Sequence, residues 1–339
     1  MEAKEEVDRK TKRPKAAEGL RGFMVVLMIG CVAIPNAQPL QEQKELTRFT
    51  LVEYHMGIDA RLVVYATNKQ VVDKACEAAF KRIAQLDDIM SDYRPKSELM
   101  RLCGQPKGTP VKISQDLYRV FERAQTVSRR SGGAFDITVG PLVQLWRKAR
   151  KEGKAPDPAL IDMARKLVGY KKLTLDPKAH TATLAMDGMK LDLGGIAKGY
   201  AGDEALKVLR QNGIKSALVE MGGDLVLGDA PPNSKGWTVQ VPNDQSKKLF
   251  LHNCAISSSG DTEQFVVIDG KRYSHVIDPK TGQGLTKRVQ ASIIAKDGLT
   301  TDPLSTALTI LDKRGRAKLL KWYPYTKTFI KIASEDGPN

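Results

Sequence analysis

The sequence predicts an α+β protein, and three observations carry that reading. Val72, Cys76, Ala79, Ile83, Leu86 and Met90 recur at helical spacing and mark one amphipathic helix. A second is framed by Ser114 as N-cap and Gly132-Gly133 as its stop, with Leu117, Val120, Phe121, Ala124 and Val127 on one face. Strand-like runs at Trp237–Val241, Gln264–Ile268, Arg272–Ile277 and Val289–Ala295 then follow one another, separated by turn residues such as Asp269-Gly270. Elements that cluster by type favour antiparallel sheets with packed helices in one intertwined unit over a doubly wound parallel sheet.

From the N-terminus, residues 1–37 read as a leader. Lys10, Lys12, Arg13, Lys15 and Arg21 precede the apolar run Phe23–Ile34, which is short for a bilayer span and suits the core of a signal peptide. Met28-Ile29-Gly30-Cys31 sets a small residue before a cysteine, as in a bacterial lipoprotein box, and predicts lipidation of Cys31. Cleavage after Ala37 is the competing route. Both predict export; lipidation would anchor the protein on the periplasmic or outer face of a bacterial inner membrane. Residues 38–48 read as a polar linker and 49–335 as the folded domain.

Inside that domain Arg61–Ala66 reads as a strand before the Val72 helix, with Cys76 an inert core thiol. Gly153–Pro158 and Gly228–Gly236 read as surface loops. Leu191–Tyr200 reads as a short strand turning through Gly194-Gly195 into a helix that buries Ala201, Ala205, Val208 and Leu209. Asp302-Pro303 reads as an N-cap followed by the first helical position, with Leu304, Ala307, Leu308 and Leu311 facing inward.

Composition excludes several classes. With 41% hydrophobic and 27% charged residues, the 339-residue chain is not a disordered protein. No apolar run reaches about 18 residues, which excludes a multi-span membrane protein. Four cysteines without a C-x-x-C pair exclude a disulfide scaffold and a zinc-finger framework. The formal charge of +15 is spread along the chain, with local concentrations at Arg147–Lys154, Arg165–Lys172 and Lys313–Lys321. These runs read first as solvated surface, with attraction to anionic lipid, phosphate ligands or an acidic partner as the alternative. Aromatics do not alternate with them as base-stacking platforms would, so no nucleic-acid partner is expected.

Six stretches combine glycine, small hydroxyls and isolated charges beyond what a core needs: Ser131–Leu142, Leu191–Tyr200, Glu220–Asp224, Ser257–Asp261, Tyr273–Gly282 and Thr301–Leu308. Glycines before a helix let backbone N–H groups face an anion. Lys198 falls in that helix's first turn, where a cation needs a negative partner, so it reads as a phosphate contact or an exposed lysine. Neither a P-loop nor a dinucleotide fingerprint is present. Asp302 and Thr306, four residues apart on a helix, offer a carboxylate and a hydroxyl to Mg²⁺, although capping alone would explain Asp302. His275 beside the Asp278–Gly282 turn is either a proton-transfer group or a structural histidine. His55, His180 and His252 read as surface or packing residues.

Taken in order, these stretches resemble the ApbE family, the FAD:protein FMN transferases, from Met56-Gly57 to the Asp302/Thr306 helix and beyond. The resemblance implies an α+β, T-fold-like architecture, export, and often a lipid anchor. It implies FAD as substrate, Mg²⁺ as cofactor, and transfer of FMN to a threonine hydroxyl of a target protein with release of AMP. Targets would be flavin-accepting proteins such as redox-pump or electron-transfer subunits. The alternatives are an FAD pyrophosphatase and a non-catalytic exported flavin-binding protein. Carried over by residue, the resemblance implies nucleotide contacts at Met56, Tyr93, Ala134, Phe135, Asp136, Asp192, Lys198 and Val276. It places Mg²⁺ on the Gly195 carbonyl, the Asp302 carboxylate and the Thr306 hydroxyl. Ile58 stands where the family usually has threonine, and Pro303 where alanine is common. His275 is the expected general base, with a nearby carboxylate such as Asp261 as competitor.

Overall fold

The computed structural model describes residues 45–241, 244–260 and 265–333. The expected leader with Cys31, most of the linker, Asp261 and residues 334–335 lie outside the described residues. Seven strands form one antiparallel sheet in the order Thr47–His55, Ile58–Ala66, Ala217–Met221, Asp224–Leu227, Cys254–Gly260, Val289–Ala295 and Lys327–Ile332. The architecture is α+β, as the clustered elements predict.

Alternation decides which residues face which layer. In Ile58–Ala66, Ala60, Leu62 and Val64 are buried on the helix side with Cys76, Ile83, Val219 and Ile293. Val63 points the other way and joins Trp237, Val239 and Ile256 under the hairpin Trp237–Val241/Asp244–Leu251. The first two strands are joined by Met56-Gly57, both with positive φ (52° and 78°), the left-handed geometry of a two-residue hairpin turn.

The helices Lys69–Met90, Ala197–Gln211 and Gly298–Ile310 pack on the buried face. The expected caps of Gln115–Ser131 are present: Ser114 accepts from Leu117 N–H, and Gly132 closes the helix at φ 63°. Burial lifts the Cys76 thiol to about 11, as befits an inert core thiol. The strand expected over Arg272–Ile277 is shorter, Lys271–Ser274, because Leu285 pairs with both Ser274 and Val276 and bends the chain there. Residues 191–193 form no strand. They are pinned instead by the Asp192 N–H donating to the Ile137 carbonyl at 2.8 Å. A second apolar cluster, Leu142, Trp146, Ile161, Ile268 and Ile277, ties the helix Gly140–Glu152 to the hairpin Phe265–Ile268/Lys271–Ser274.

Candidate active site

The helix that carries Asp302 begins earlier than its sequence suggests. It runs Gly298–Ile310, so Asp302 is an interior residue and not the N-cap, and Pro303 lies inside the helix. The capping comes from another helix: Asp203 accepts from Gly298 N–H at 2.7 Å and from Leu299 N–H at 2.8 Å. Burial lifts the Asp203 carboxyl to about 7 against the pull of those two donors. Pro303 in turn has no N–H to offer the Leu299 carbonyl, one turn back.

This trans-cap locks two helices together at a glycine pair. A Cβ on Gly199 would overlap the Gly298 carbonyl and lie 2.9 Å from the Asp302 Cβ, so only glycine allows the crossing. The approach brings the Gly199 N–H to Asp302 Oδ2 at 3.1 Å. Asp302 is 2% exposed, and burial lifts its carboxyl to about 7; Lys198 opposes the shift and Asp224 adds to it.

Lys198 is not an exposed first-turn lysine. Its Nζ lies 3.1 Å from Asp224 Oδ2 and 3.9 Å from Asp302 Oδ2, and it donates to the Gly194 carbonyl at 3.1 Å. These partners supply the negative charge that a cation near a helix N-terminus needs. Asp224 follows the glycines Gly222 and Gly223 (φ 59° and 91°), which turn one strand into the next and deliver the carboxylate to the buried side. That Oδ2 is buried, with the Lys198 ammonium beside it. Two buried carboxylates thus face one ammonium.

Gly195 and Thr306 meet at the same place. A Cβ on Gly195 would stand 3.0 Å from Thr306 Oγ1 and 3.3 Å from the Phe135 ring. The serines of Cys254–Gly260 fix the helix from the sheet side: Ser257 Oγ lies 2.7 Å from Thr301 Oγ1, and Ser259 Oγ lies 2.7 Å from Ser305 Oγ and 3.2 Å from Thr306 Oγ1. Ser305 Oγ donates to the Asp302 carbonyl at 2.8 Å.

A neighbouring group forms around Arg147, whose sequence context reads as basic surface. Its guanidinium bridges Asp92 and Asp192 and lies 4.2 Å from the centroid of the Tyr93 ring. Asp192 Oδ1 accepts from Gly194 N–H at 2.8 Å, tying this group to the Lys198 loop. Burial and Asp92 raise the Asp192 carboxyl, while Arg147 opposes them. Tyr93 is 74% exposed, a ring offered to solvent and held from behind.

Asp136 is differently employed. One oxygen accepts from Thr138 N–H and Oγ1, the other from Tyr170 N–H at 2.7 Å, so its carboxylate is spent on holding the turn that follows Ala134 and Phe135. His275 is half-buried between Ser274 and the buried Val276, whose N–H donates to Ser274 Oγ at 3.1 Å. Trp146 steadies this loop, with Nε1 donating to the Gly282 carbonyl at 2.8 Å and its ring 4.9 Å from Tyr273. Adjacent residues of one helix therefore hold the Tyr93/Asp192 group and the His275 loop. Met56 sits apart from these contacts, at the hairpin turn, where it packs against the main core.

The structure thus joins Gly195, Lys198, Asp302 and Thr306, and beside them Asp192, Tyr93 and Phe135. Sequence reasoning missed Asp224 as an individual residue, Asp203 and Arg147. The Glu220–Asp224 stretch was the signal for the first; nothing local signals the other two.

A family model described as the ApbE family matches residues 56–329. An FAD:protein FMN transferase of Treponema pallidum is 32% identical over 324 residues, covering 89% of this chain and 88% of that protein. One from Salmonella typhimurium is 32% identical over 308 residues, 84% of this chain and 83% of its own. The apo flavinyl transferase ApbE of Pseudomonas stutzeri superposes with a TM-score of 0.76 at 27% identity, over 86% of this chain and 92% of its own. The ApbE protein of Thermotoga maritima gives 0.76 at 29% identity, over 84% and 94%. The match spans the glycine-locked helices, the sheet beneath them and the loops that meet there, and the chain belongs to the ApbE family.

Proposed function

We propose that this protein is a Mg²⁺-dependent FAD:protein FMN transferase that attaches FMN through a phosphoester to a threonine of a target protein and releases AMP. The observation that carries the reading is the convergence of Lys198, Asp302, Thr306 and the Gly195 backbone from two helices and one loop. Relatives of matching length bear the name FAD:protein FMN transferase.

The donor set fits magnesium. A buried carboxylate, a hydroxyl and a backbone carbonyl are hard oxygen ligands, and one ammonium leaves the paired carboxylates with negative charge to spare. Gly195, Asp302 and Thr306 would hold the ion, which when bound supplies charge neutralisation on the pyrophosphate. Lys198 adds a second positive group, which would exchange Asp224 for a phosphate oxygen. Tyr93 offers a ring face to the flavin nucleotide. His275 takes the proton of the threonine hydroxyl as its oxygen bonds the FMN-side phosphorus and the bond to AMP breaks.

Incubation with FAD, Mg²⁺ and a threonine-bearing target tests this by mass measurement: the target should gain one FMN as AMP appears. AMP and free FMN without a target would make the protein a pyrophosphatase, and intact FAD would make it a binding protein. Export through residues 1–37, with Cys31 lipidated, completes the reading. Membrane association in a bacterial host should then depend in part on the Cys31 thiol, and Cys31→Ser should weaken it.

A further inference from the structure

Between Asp312 and Glu335 the chain has no acidic residue, yet it carries Lys313, Arg314, Arg316, Lys318, Lys321, Lys327 and Lys331. The structure sorts them. Arg316 is buried and donates from Nε to the Leu308 carbonyl at 2.7 Å, while the lysines of the segment and Arg314 are exposed. At its centre the helix Lys313–Leu320 ends in Trp322-Tyr323-Pro324-Tyr325.

The aromatics divide just as sharply. Tyr323 and Leu319 are built into the main core. Trp322 and Tyr325 point outward, 58% and 97% exposed. The turn presenting them is fixed: Trp322 N–H donates to the Leu319 carbonyl at 3.0 Å, and Thr326 Oγ1 to the Tyr323 carbonyl at 2.8 Å. Arg130 lies 5.1 Å from the Trp322 ring centroid and adds a cation behind the tip. Both rings leave apolar area in water on a turn that is held in place.

We propose that this tip, the exposed Trp322 and Tyr325 with the exposed Lys318, Lys321 and Lys327 close by in the chain, is a docking surface for an anionic lipid bilayer. Amphipathic rings settle at the headgroup level, and lysines extend their charge to the phosphates while their stems stay apolar. A basic cluster gains about fivefold in partition for each lysine near an anionic leaflet. A protein partner would instead favour a patch around a desolvated anchor, whereas these rings are open to water on a turn between helix and strand, with exposed lysines on both sides in the chain. The surface is independent of the leader and of any flavin chemistry. Because the leader's apolar run can itself meet lipid, the test compares full-length variants that share it.

The chain has three tryptophans, and Trp146 and Trp237 are buried at 1% and 6% exposure, so lipid-dependent fluorescence reports Trp322. Full-length protein is mixed with phosphatidylcholine vesicles, with or without phosphatidylglycerol, and with brominated acyl chains as quencher. Quenching is expected on the anionic vesicles, diminished by salt and absent in Trp322→Phe. Lys318→Ala/Lys321→Ala should lower partition onto anionic vesicles roughly thirtyfold and leave the zwitterionic baseline unchanged. Wild-type protein unquenched by bromolipid, or a double variant that binds as wild type, overturns the proposal and leaves a protein partner as the occupant. Should the alanine pair fail to fold, Lys318→Gln/Lys321→Gln, which keeps the stems without the charge, makes the same comparison.

Discussion

Arg147 donates from Nη2 to Asp192 Oδ2 at 2.9 Å while its guanidinium plane lies 4.2 Å from the Tyr93 ring centroid. One side chain thereby sets both an acidic loop and an aromatic face of the candidate site. Arg147→Met should strand the buried Asp192 and release the ring. Fold stability should drop by about 2 kcal/mol in denaturant melts, and FAD affinity at least tenfold in a fluorescence titration. Arg147→Lys keeps the charge without the planar fork, so it should recover stability better than affinity.

Asp302→Asn should abolish Mg²⁺-dependent turnover and leave the fold in place, because the amide oxygen still accepts the Gly199 N–H. Asp302→Ala should also lose activity, at a cost to stability above the roughly 1 kcal/mol of a lost helix cap, since a buried donor loses its acceptor. Activity assays across a Mg²⁺ series, paired with thermal melts, separate the two effects. Full turnover in the Asn variant would remove Asp302 from the metal site.

Asp203 links stability to pH. Its folded carboxyl titrates at about 7, whereas an unfolded aspartate titrates at about 3.9, so between those values the folded state holds the extra proton. Stability should therefore decline as pH rises from about 4 to about 7, by on the order of 2–4 kcal/mol, and level off above. Asp203→Asn should flatten part of that decline in melts run across the range. The variant should also be weaker at low pH, because its amide can accept only one of the two N–H groups well.

Gly199→Ala should be among the most damaging single methyl additions in the chain. The methyl would meet the Gly298 backbone, and neither helix can retreat without parting Asp302 from the Gly199 N–H. A loss of about 1–3 kcal/mol is expected, together with a larger fall in turnover than stability alone explains.

His275→Ala should slow transfer by about 10²–10⁴-fold with little change in FAD affinity. The remaining rate should lose the pH dependence that an ionisable base imposes. Weakened binding with a normal rate at saturation would make His275 a positioning residue.

Much of this was legible in the sequence where the physics is local. Ser114 and Gly132 frame their helix because capping depends on a few neighbouring residues, and Val289–Ala295 forms the strand its apolar run predicts. Asp302 and Thr306 share a helix face because the spacing requires it. What stayed hidden depends on distant residues. Asp302-Pro303 resembles a helix start, but Asp203, far away in the chain, caps the helix a turn earlier. Arg147 reads as part of a solvated run because Asp92 and Asp192 converge on it only after folding. Lys198 was legible as a cation needing a negative partner, but that Asp224 supplies one emerges only after folding.

The row of hydroxyls between the sheet and the Asp302 helix has a directional consequence. Ser305 has one proton and spends it on the Asp302 carbonyl, which can only accept. Its contact with Ser259 must therefore be received, so Ser259 spends its own proton on Ser305 and can only receive from Thr306. The Thr306 proton is thus committed toward the sheet, and its lone pairs are left for the side where Gly195 stands. A rotor that could have pointed anywhere is set by a relay of three atoms to act as an acceptor, before any ligand arrives.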